Sequence, residues 1–291
     1  MPPPDDTNIE TTNIETTSDA GTTTDRINSN RVPLDASFTT LPAKMFVFDL
    51  DDTLAPSKSP MPDAMATALS ALLEKALVAI ISGGRFEQFQ AQVIARLDLP
   101  AAAYERLHLM PTCGTTYFRW EDNTWKRVYF EELSPADKAQ IQDVLGAGAR
   151  ELNLVESKTW GETLEDRGSQ ITLSALGQSA PVEAKAAWDP DGVKKSKLRA
   201  YAAERLPEFE VRSGGSTSID VTRKGIDKAY GIDKLVSYTG VSLADMLFIG
   251  DRLDVDGNDY PVLRHGVRSV QVEDWHDTVT FIERIANLPT G

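Results

Sequence analysis

The chain of 291 residues carries 44 acidic against 30 basic side chains, for a formal net charge of −14. That balance excludes an extended polyphosphate partner, because nucleic-acid binding needs a basic face; a small anionic substrate stays open, since a local cluster of Arg and Lys can override the global sign. With 41% apolar residues the chain can bury one large core or two modest ones, and no apolar run approaches the roughly 18 residues of a membrane span.

Residues 1–36 stand apart. The pentapeptide NIETT occurs twice in tandem, and the segment holds seven acidic and two basic residues with little apolar surface. The expectation is a disordered acidic, Thr-rich tail that cannot offset its own ordering entropy. Its first residues, MPPPDDTNIE, have neither the basic nor the apolar region of a signal peptide, so the expectation is a cytoplasmic location.

From Leu41 the texture changes. MFVF (45–48) is a short apolar run suited to a strand buried on both faces, MPDAMATALSALLEKA has helical spacing, LVAII is a second buried strand, and RFEQFQAQVIARL is a second helix. That alternation predicts a parallel α/β layer. Then the pattern breaks: TTYFRW and WKRVYF flank the polar EDNT as a hairpin, SQITLSAL alternates as a half-exposed antiparallel strand, SKLRAYAAERL is a helix, and EFEVRSGG and STSIDVT are two more strands. The first texture resumes with a helix around DKAYGIDKLVSYTG, the strand MLFIGD and a last strand RSVQV. The expected fold is α/β, a Rossmann-like parallel core formed by 37–113 and 223–291 and split by an inserted α+β domain, 114–222.

In a parallel sheet, ligands bind beyond the carboxyl ends of the strands. Asp49 and Asp51 follow MFVF, Ser82 and Gly83 follow LVAII, Lys224 and Lys228 lead into the helix after the insert, and Asp251 follows MLFIG, with Asp254, Asp256 and Asp259 further along its loop. Carboxylates gathered at one point form a hard oxygen cage, and Mg²⁺ is the usual cation where phosphate is also bound. Asp49 is then placed to attack a phosphoryl group and form an aspartyl-phosphate, with the metal and a lysine neutralising the phosphoryl oxygens. Asp51 can protonate the leaving oxygen and later deprotonate the acceptor. Ser82 can donate to the phosphoryl oxygens, Thr53 can hold the acid–base carboxylate, and Asp52 is left to the turn. Cys113, the only cysteine, excludes an internal disulfide, points to a reducing compartment, and reads as a small buried residue; His108, His265 and His276 show no ligand spacing.

DLDDTL, ISGGR, the lysine of GIDKAYGI and GDRLDVDGND, in that order, resemble the four motifs of the haloacid dehalogenase superfamily across about 43–291. The resemblance selects Lys228 over Lys224 and Asp259 over Asp254 and Asp256, so that Asp49, Asp51, Asp251 and Asp259 form the expected Mg²⁺ set, with Ser82, Gly83, Thr53 and Lys228 on the phosphate. The insert falls where the superfamily's type-two caps occur. LEDRGSQITLSALGQS, GGSTSIDVTRKGIDKAYGI and GDRLDVDGNDYPV are similar to segments of eukaryotic-type phosphomannomutases. That similarity implies sugar-phosphate contacts from Arg167, Ser218 and Asp220 of the cap, and a homodimer through the cap. At Gln178 the mutases carry an Arg for the distal phosphate; an amide offers neither the charge nor the fork, and Arg212 is the candidate to compensate. The implied function is a Mg²⁺-dependent phosphatase of hexose phosphates; the alternatives are a phosphomannomutase, with a sugar hydroxyl as acceptor, and a non-catalytic Mg²⁺ and phosphate binder.

Overall fold

A computed structural model describes residues 27–214 and 217–290. The expected tail therefore divides: residues 1–26 lie outside the described residues, whereas 27–36 are structured, with Arg31–Val32 (β1) pairing in parallel with β12 (Arg268–Gln271), the last strand in the sequence. The core alternates as the apolar runs predict: β2 (Met45–Phe48), α1 (Asp63–Leu73), β3 (Leu77–Ile81), α2 (Phe86–Gln92), the short α3 (Ala101–Tyr104) and β4 (Leu107–Met110). The hairpin β5 (Thr116–Glu121) and β6 (Thr124–Phe130) follows, turning on Asp122 and Asn123, which both take positive φ as a two-residue hairpin turn requires. Next come α4 (Pro135–Glu151), β7 (Leu164–Asp166), β8 (Gln170–Ser174), α5 (Val182–Trp188), α6 (Val193–Arg205), β9 (Phe209–Ser213) and β10 (Ser218–Arg223). The chain returns to the core through α7 (Lys228–Thr239), β11 (Met246–Gly250), α8 (Tyr260–Arg264), β12 (Arg268–Gln271) and α9 (Trp275–Ala286). No helix among the described residues is long and apolar enough to cross a membrane.

The large sheet has the order β1-β12-β11-β2-β3-β4-β5-β6, parallel from β1 to β4 and antiparallel beyond it. Period-two alternation sorts its side chains between two helical layers. Phe46 and Phe48 pack with Leu69 and Leu72 of α1 and Phe281 and Ile285 of α9, whereas Met45 and Val47 pack with Ile232 and Leu235 of α7 and Val262 of α8. The hairpin expected in the insert belongs to this sheet: His108 of β4 pairs with Arg119 of β5. Its aromatic residues join the core aromatics, Phe118 stacking on Phe86 at 3.7 Å between ring centroids, and that burial outweighs the composition shift that suggested a boundary at 114.

The second sheet, β7-β8-β10-β9, is antiparallel throughout. One face, with Ile171, Leu173, Val211, Ile219 and Val221, packs on Ile141 and Leu145 of α4 and Leu198 and Ala202 of α6. The other face is polar, carrying Thr172, Ser174, Ser218 and Asp220. All five residues of β8 are buried, not half-exposed as its alternation suggested, because the polar face is turned to the core rather than to water. Contacts across that junction include Ser169 Oγ with Thr115 Oγ1 at 2.6 Å and Arg167 with Gly83.

Candidate active site

Parallel register brings the strand ends together: Phe48 pairs with Ile249 on one side and Ile80 on the other, so Asp251 and Ser82 leave the sheet within one residue of the level of Asp49. The Asp49 N–H still donates to the Ile249 carbonyl at 3.0 Å. Lys228, at the first turn of α7, reaches in from the other layer; its side chain is 1% exposed and its Nζ lies 2.6 Å from Asp49 Oδ1 and 2.5 Å from Asp259 Oδ1. Asp259 is fully buried, its second oxygen accepting the Arg252 N–H at 3.0 Å. Gly250 makes this approach possible, because a Cβ there would sit 2.3 Å from Asp259 Oδ2. Asp254 and Asp256 are at the surface, Asp254 paired with Arg252, and Lys224 is exposed too. Of the residues competing for these positions, Lys228 and Asp259 are the ones the fold brings in.

Asp49, Asp251 and Asp259 present oxygens that lie within 4.8 Å of one another. Burial pushes the Asp49 carboxyl well above the usual range; Lys228 opposes this, and the Asp259 and Asp251 charges add to it. Burial and then Asp259 raise Asp251 as well. Burial disfavours the Lys228 ammonium, yet Asp259 and Asp49 more than offset it, so its pKa rises and the charge is held. Three carboxylates facing one ammonium leave a surplus of negative charge in a buried place, which is what an oxygen-ligated divalent cation relieves. The donor set therefore fits Mg²⁺, with Asp49, Asp251 and Asp259 as the residues that would hold it.

Asp51 stands outside that group, contrary to its expected place as a fourth ligand. The chain turns over at Asp52, whose φ is +62° and whose carboxylate accepts the Ser57 N–H. Asp51 is instead gripped by the Lys58 N–H at 2.7 Å and by the Gln88 and Gln92 amides at 3.0 and 3.3 Å. Thr53 also departs from expectation: its hydroxyl donates to Asp251 at 3.3 Å and not to Asp51. Ser82 is buried at the end of β3, and its Oγ accepts the Gly84 N–H at 3.2 Å.

In the second sheet, the Arg167 guanidinium bonds to Glu165 at 2.7 and 2.9 Å and to the Gly83 carbonyl at 2.8 Å. Asp220 accepts the Thr172 hydroxyl at 2.7 Å, and Ser218 Oγ lies 3.5 Å from Ser174 Oγ. Arg212 is spent on the Ile226 carbonyl at 2.9 Å, with Asp227 and Glu210 farther off. Cys113 is half-buried between the layers, near enough to Lys228, Arg212 and Asp220 to feel their charges, and desolvation lifts its thiol to about 11.

Three residues missed in the sequence border the site. Lys58 Nζ lies 3.4 Å from Gln178 Oε1, and Lys185 Nζ lies 3.3 Å from the Gln178 carbonyl. Burial and then the Lys58 charge lower the Lys185 pKa. Gln88 holds Asp51. Lys58 had a legible signal in its loop position, seven residues past Asp51; Lys185 and Gln88 had none, since each reads as one polar residue on a helix.

Known proteins share this architecture. Residues 178–282 match the model of a family described as haloacid dehalogenase-like hydrolase. The chain is 25% identical over 260 residues to a phosphomannomutase of Saccharomyces cerevisiae, covering 85% of this chain and 96% of that protein. Human phosphomannomutase 1 is 24% identical over 229 residues, which is 74% of this chain and 81% of that one. Among solved structures, Plasmodium falciparum IMP-nucleotidase superposes with a TM-score of 0.63 at 16% identity, covering 84% of this chain and 68% of that one. A haloacid dehalogenase-like hydrolase of Bacteroides thetaiotaomicron superposes with a TM-score of 0.59 at 16% identity, over 84% and 99% of the two chains. With its parallel core, its antiparallel second sheet and these sequence relatives, the chain has the fold of haloacid dehalogenase-like hydrolases and is similar in sequence to phosphomannomutases.

Proposed function

We propose that the protein is a Mg²⁺-dependent phosphatase of small phosphorylated metabolites, hexose phosphates first among them. The observation that carries this reading is the buried Asp49–Lys228–Asp259 group with Asp251 beside it, at the carboxyl end of the central strands. Asp49 attacks phosphorus and is phosphorylated as the P–O bond to the sugar breaks, while Asp51 gives a proton to the departing oxygen. Water, deprotonated by Asp51, then attacks the phosphorus of the aspartyl-phosphate and restores the Asp49 carboxylate. Lys228 keeps its charge and offsets the charge on the phosphoryl oxygens, and the Ser82 hydroxyl donates to them. Mg²⁺, when bound by the three carboxylates, adds the neutralisation that bringing one anion onto another demands.

A phosphomannomutase reading is favoured by the relatives named above and by one feature of this chain. Lys58 and Lys185 flank Gln178, so cationic charge stands where residue 178 itself lacks it. Both readings share the first half-reaction and differ in the acceptor. Incubation with mannose and glucose 6-phosphates plus Mg²⁺ separates them. Release of inorganic phosphate supports the phosphatase; interconversion of 1- and 6-phosphates on adding a sugar bisphosphate supports the mutase; the absence of both activities overturns the catalytic reading.

A further inference from the structure

The three carbonyls of the Ser82–Gly83–Gly84 loop are each taken by a donor outside it. The Cys113 N–H donates to the Ser82 carbonyl at 2.9 Å, Arg167 Nη1 to Gly83 at 2.8 Å, and the Thr112 N–H to Gly84 at 2.9 Å. Two of these donors come from the corner after β4; the middle one comes from the cap. Within one peptide unit the C=O and N–H are rigidly opposed, so gripping the Gly83 carbonyl also aims the N–H of Gly84. That N–H donates to Ser82 Oγ at 3.2 Å. A hydroxyl that already accepts has its own proton left to give, and no acceptor for it is found among the described residues.

Arg167 is itself held. Two of its nitrogens bond Glu165 Oε2, the side chains of the pair are 11% and 12% exposed, and Glu165 Oε1 lies 3.3 Å from Arg85 of the core. The guanidinium is thereby neutralised by a carboxylate and directed at a carbonyl, an arrangement that suits holding a peptide plane better than attracting a second anion.

Resting on the phosphoryl-transfer reading of the site, we propose that Arg167 is a positioning residue, which acts through the Gly83–Gly84 peptide to aim the Ser82 hydroxyl at the phosphoryl group. Glu165 and Arg85 lock it there, so the loop is completed only when the cap lies against the core. This role is distinct from contact with the distal part of a substrate.

Inorganic phosphate with Mg²⁺ is the discriminating probe, because it has no distal part. Arg167→Ala should weaken phosphate binding, measured by calorimetry, by roughly tenfold. Ser82→Ala should weaken it similarly, and the double variant should be little worse than either one, since both remove the same hydrogen-bond chain. Arg167→Lys, which keeps the charge but not the fork, should fail to rescue. Glu165→Gln, which leaves Arg167 in place but loosens it, should give a smaller loss and serves if Arg167→Ala does not fold. Phosphate affinity within about twofold of wild type in the Arg167 and Glu165 variants, with KM for a sugar phosphate raised, would overturn the proposal and make Arg167 a substrate contact. A wild-type protein that neither binds phosphate nor releases it from any donor would instead overturn the reading of the site, and the proposal with it.

Discussion

At the scale of single residues, the molecule separates buried charge that is compensated from buried polarity that is not. Lys228 and Asp259 are 1% and 0% exposed and neutralise each other. His108, 3% exposed on β4, has Nδ1 2.6 Å from Tyr117 Oη and no partner at Nε2. Burial, and then the Arg119 charge, pull its imidazole down to about 4. A proton taken up near pH 6.5 in the unfolded chain is thus refused by the folded one until about pH 4. Stability contributed by neutral His108 is therefore complete above about pH 6.5 and is lost as the pH falls toward 4, at up to about 1.4 kcal/mol per unit. Urea unfolding of wild type against His108→Gln should show a steeper acid decline in wild type, by about 2–3 kcal/mol between pH 7 and 4.5; parallel curves would remove His108 from the acid response. Asp49, Ser82, Lys228 and Asp251 were legible in the sequence because each sits at a strand end or helix start that the apolar runs locate. The separation of Asp51 from the metal-fitting group was not, since it depends on the positive φ of Asp52, which local pattern does not encode.

Among the elements, the corner after β4 joins the most parts. Its Thr112, Cys113 and Gly114 all take positive φ, a strained geometry for a β-branched residue, and it grips the Ser82 and Gly84 carbonyls. Gly114, with φ +86°, also lets α7 approach: a Cβ there would sit 2.5 Å from the Gly231 Cα. Gly114→Ala should therefore cost about 2 kcal/mol or more in urea unfolding and should reduce phosphate release, since α7 carries Lys228. A variant as stable and active as wild type would contradict the tight contact. Elements with strong apolar periodicity form where their pattern puts them, except that RFEQFQAQVIARL is helical only over Phe86–Gln92 and then breaks into a separate 3-10 turn, Ile94–Arg96. LHLM gives no strand signal, because four residues carry no periodicity of their own. The helix Pro135–Glu151 was missed although Ser134 and Asp137 form a capping box with Pro at its first turn, a start signal available in SPAD. The hairpin was placed in the wrong layer because pairing partners distant in sequence leave no local mark.

At the scale of the whole molecule, two layered units meet across a polar junction, and the carboxylate surplus lies beneath it. A cation that binds the folded state alone stabilises it by mass action. Added Mg²⁺ at about a hundred times its Kd should stabilise the protein by about 2.7 kcal/mol, a rise of a few degrees in Tm. Asp251→Asn, which removes one of the three clustered carboxylates, should abolish that rise; an equal rise in both proteins would place the ion elsewhere. The division into core and cap was visible as a change of texture, and its position shifted because the hairpin Thr116–Phe130 extends the core sheet. Gln178 and Lys185 of the second unit meet Lys58 of the core; these three come from separate segments, and only folding brings them together. The claim on which the catalytic account depends is that Asp49 carries the phosphoryl group. Its most direct measurement mixes the protein with Mg²⁺ and a radiolabelled aryl phosphate, quenches within one turnover, and maps the label by peptide digestion. The label should lie on the peptide containing Asp49, persist longer in Asp51→Asn, and vanish in Asp49→Asn together with turnover. Turnover that survives Asp49→Asn, or a label on any other residue, would contradict it.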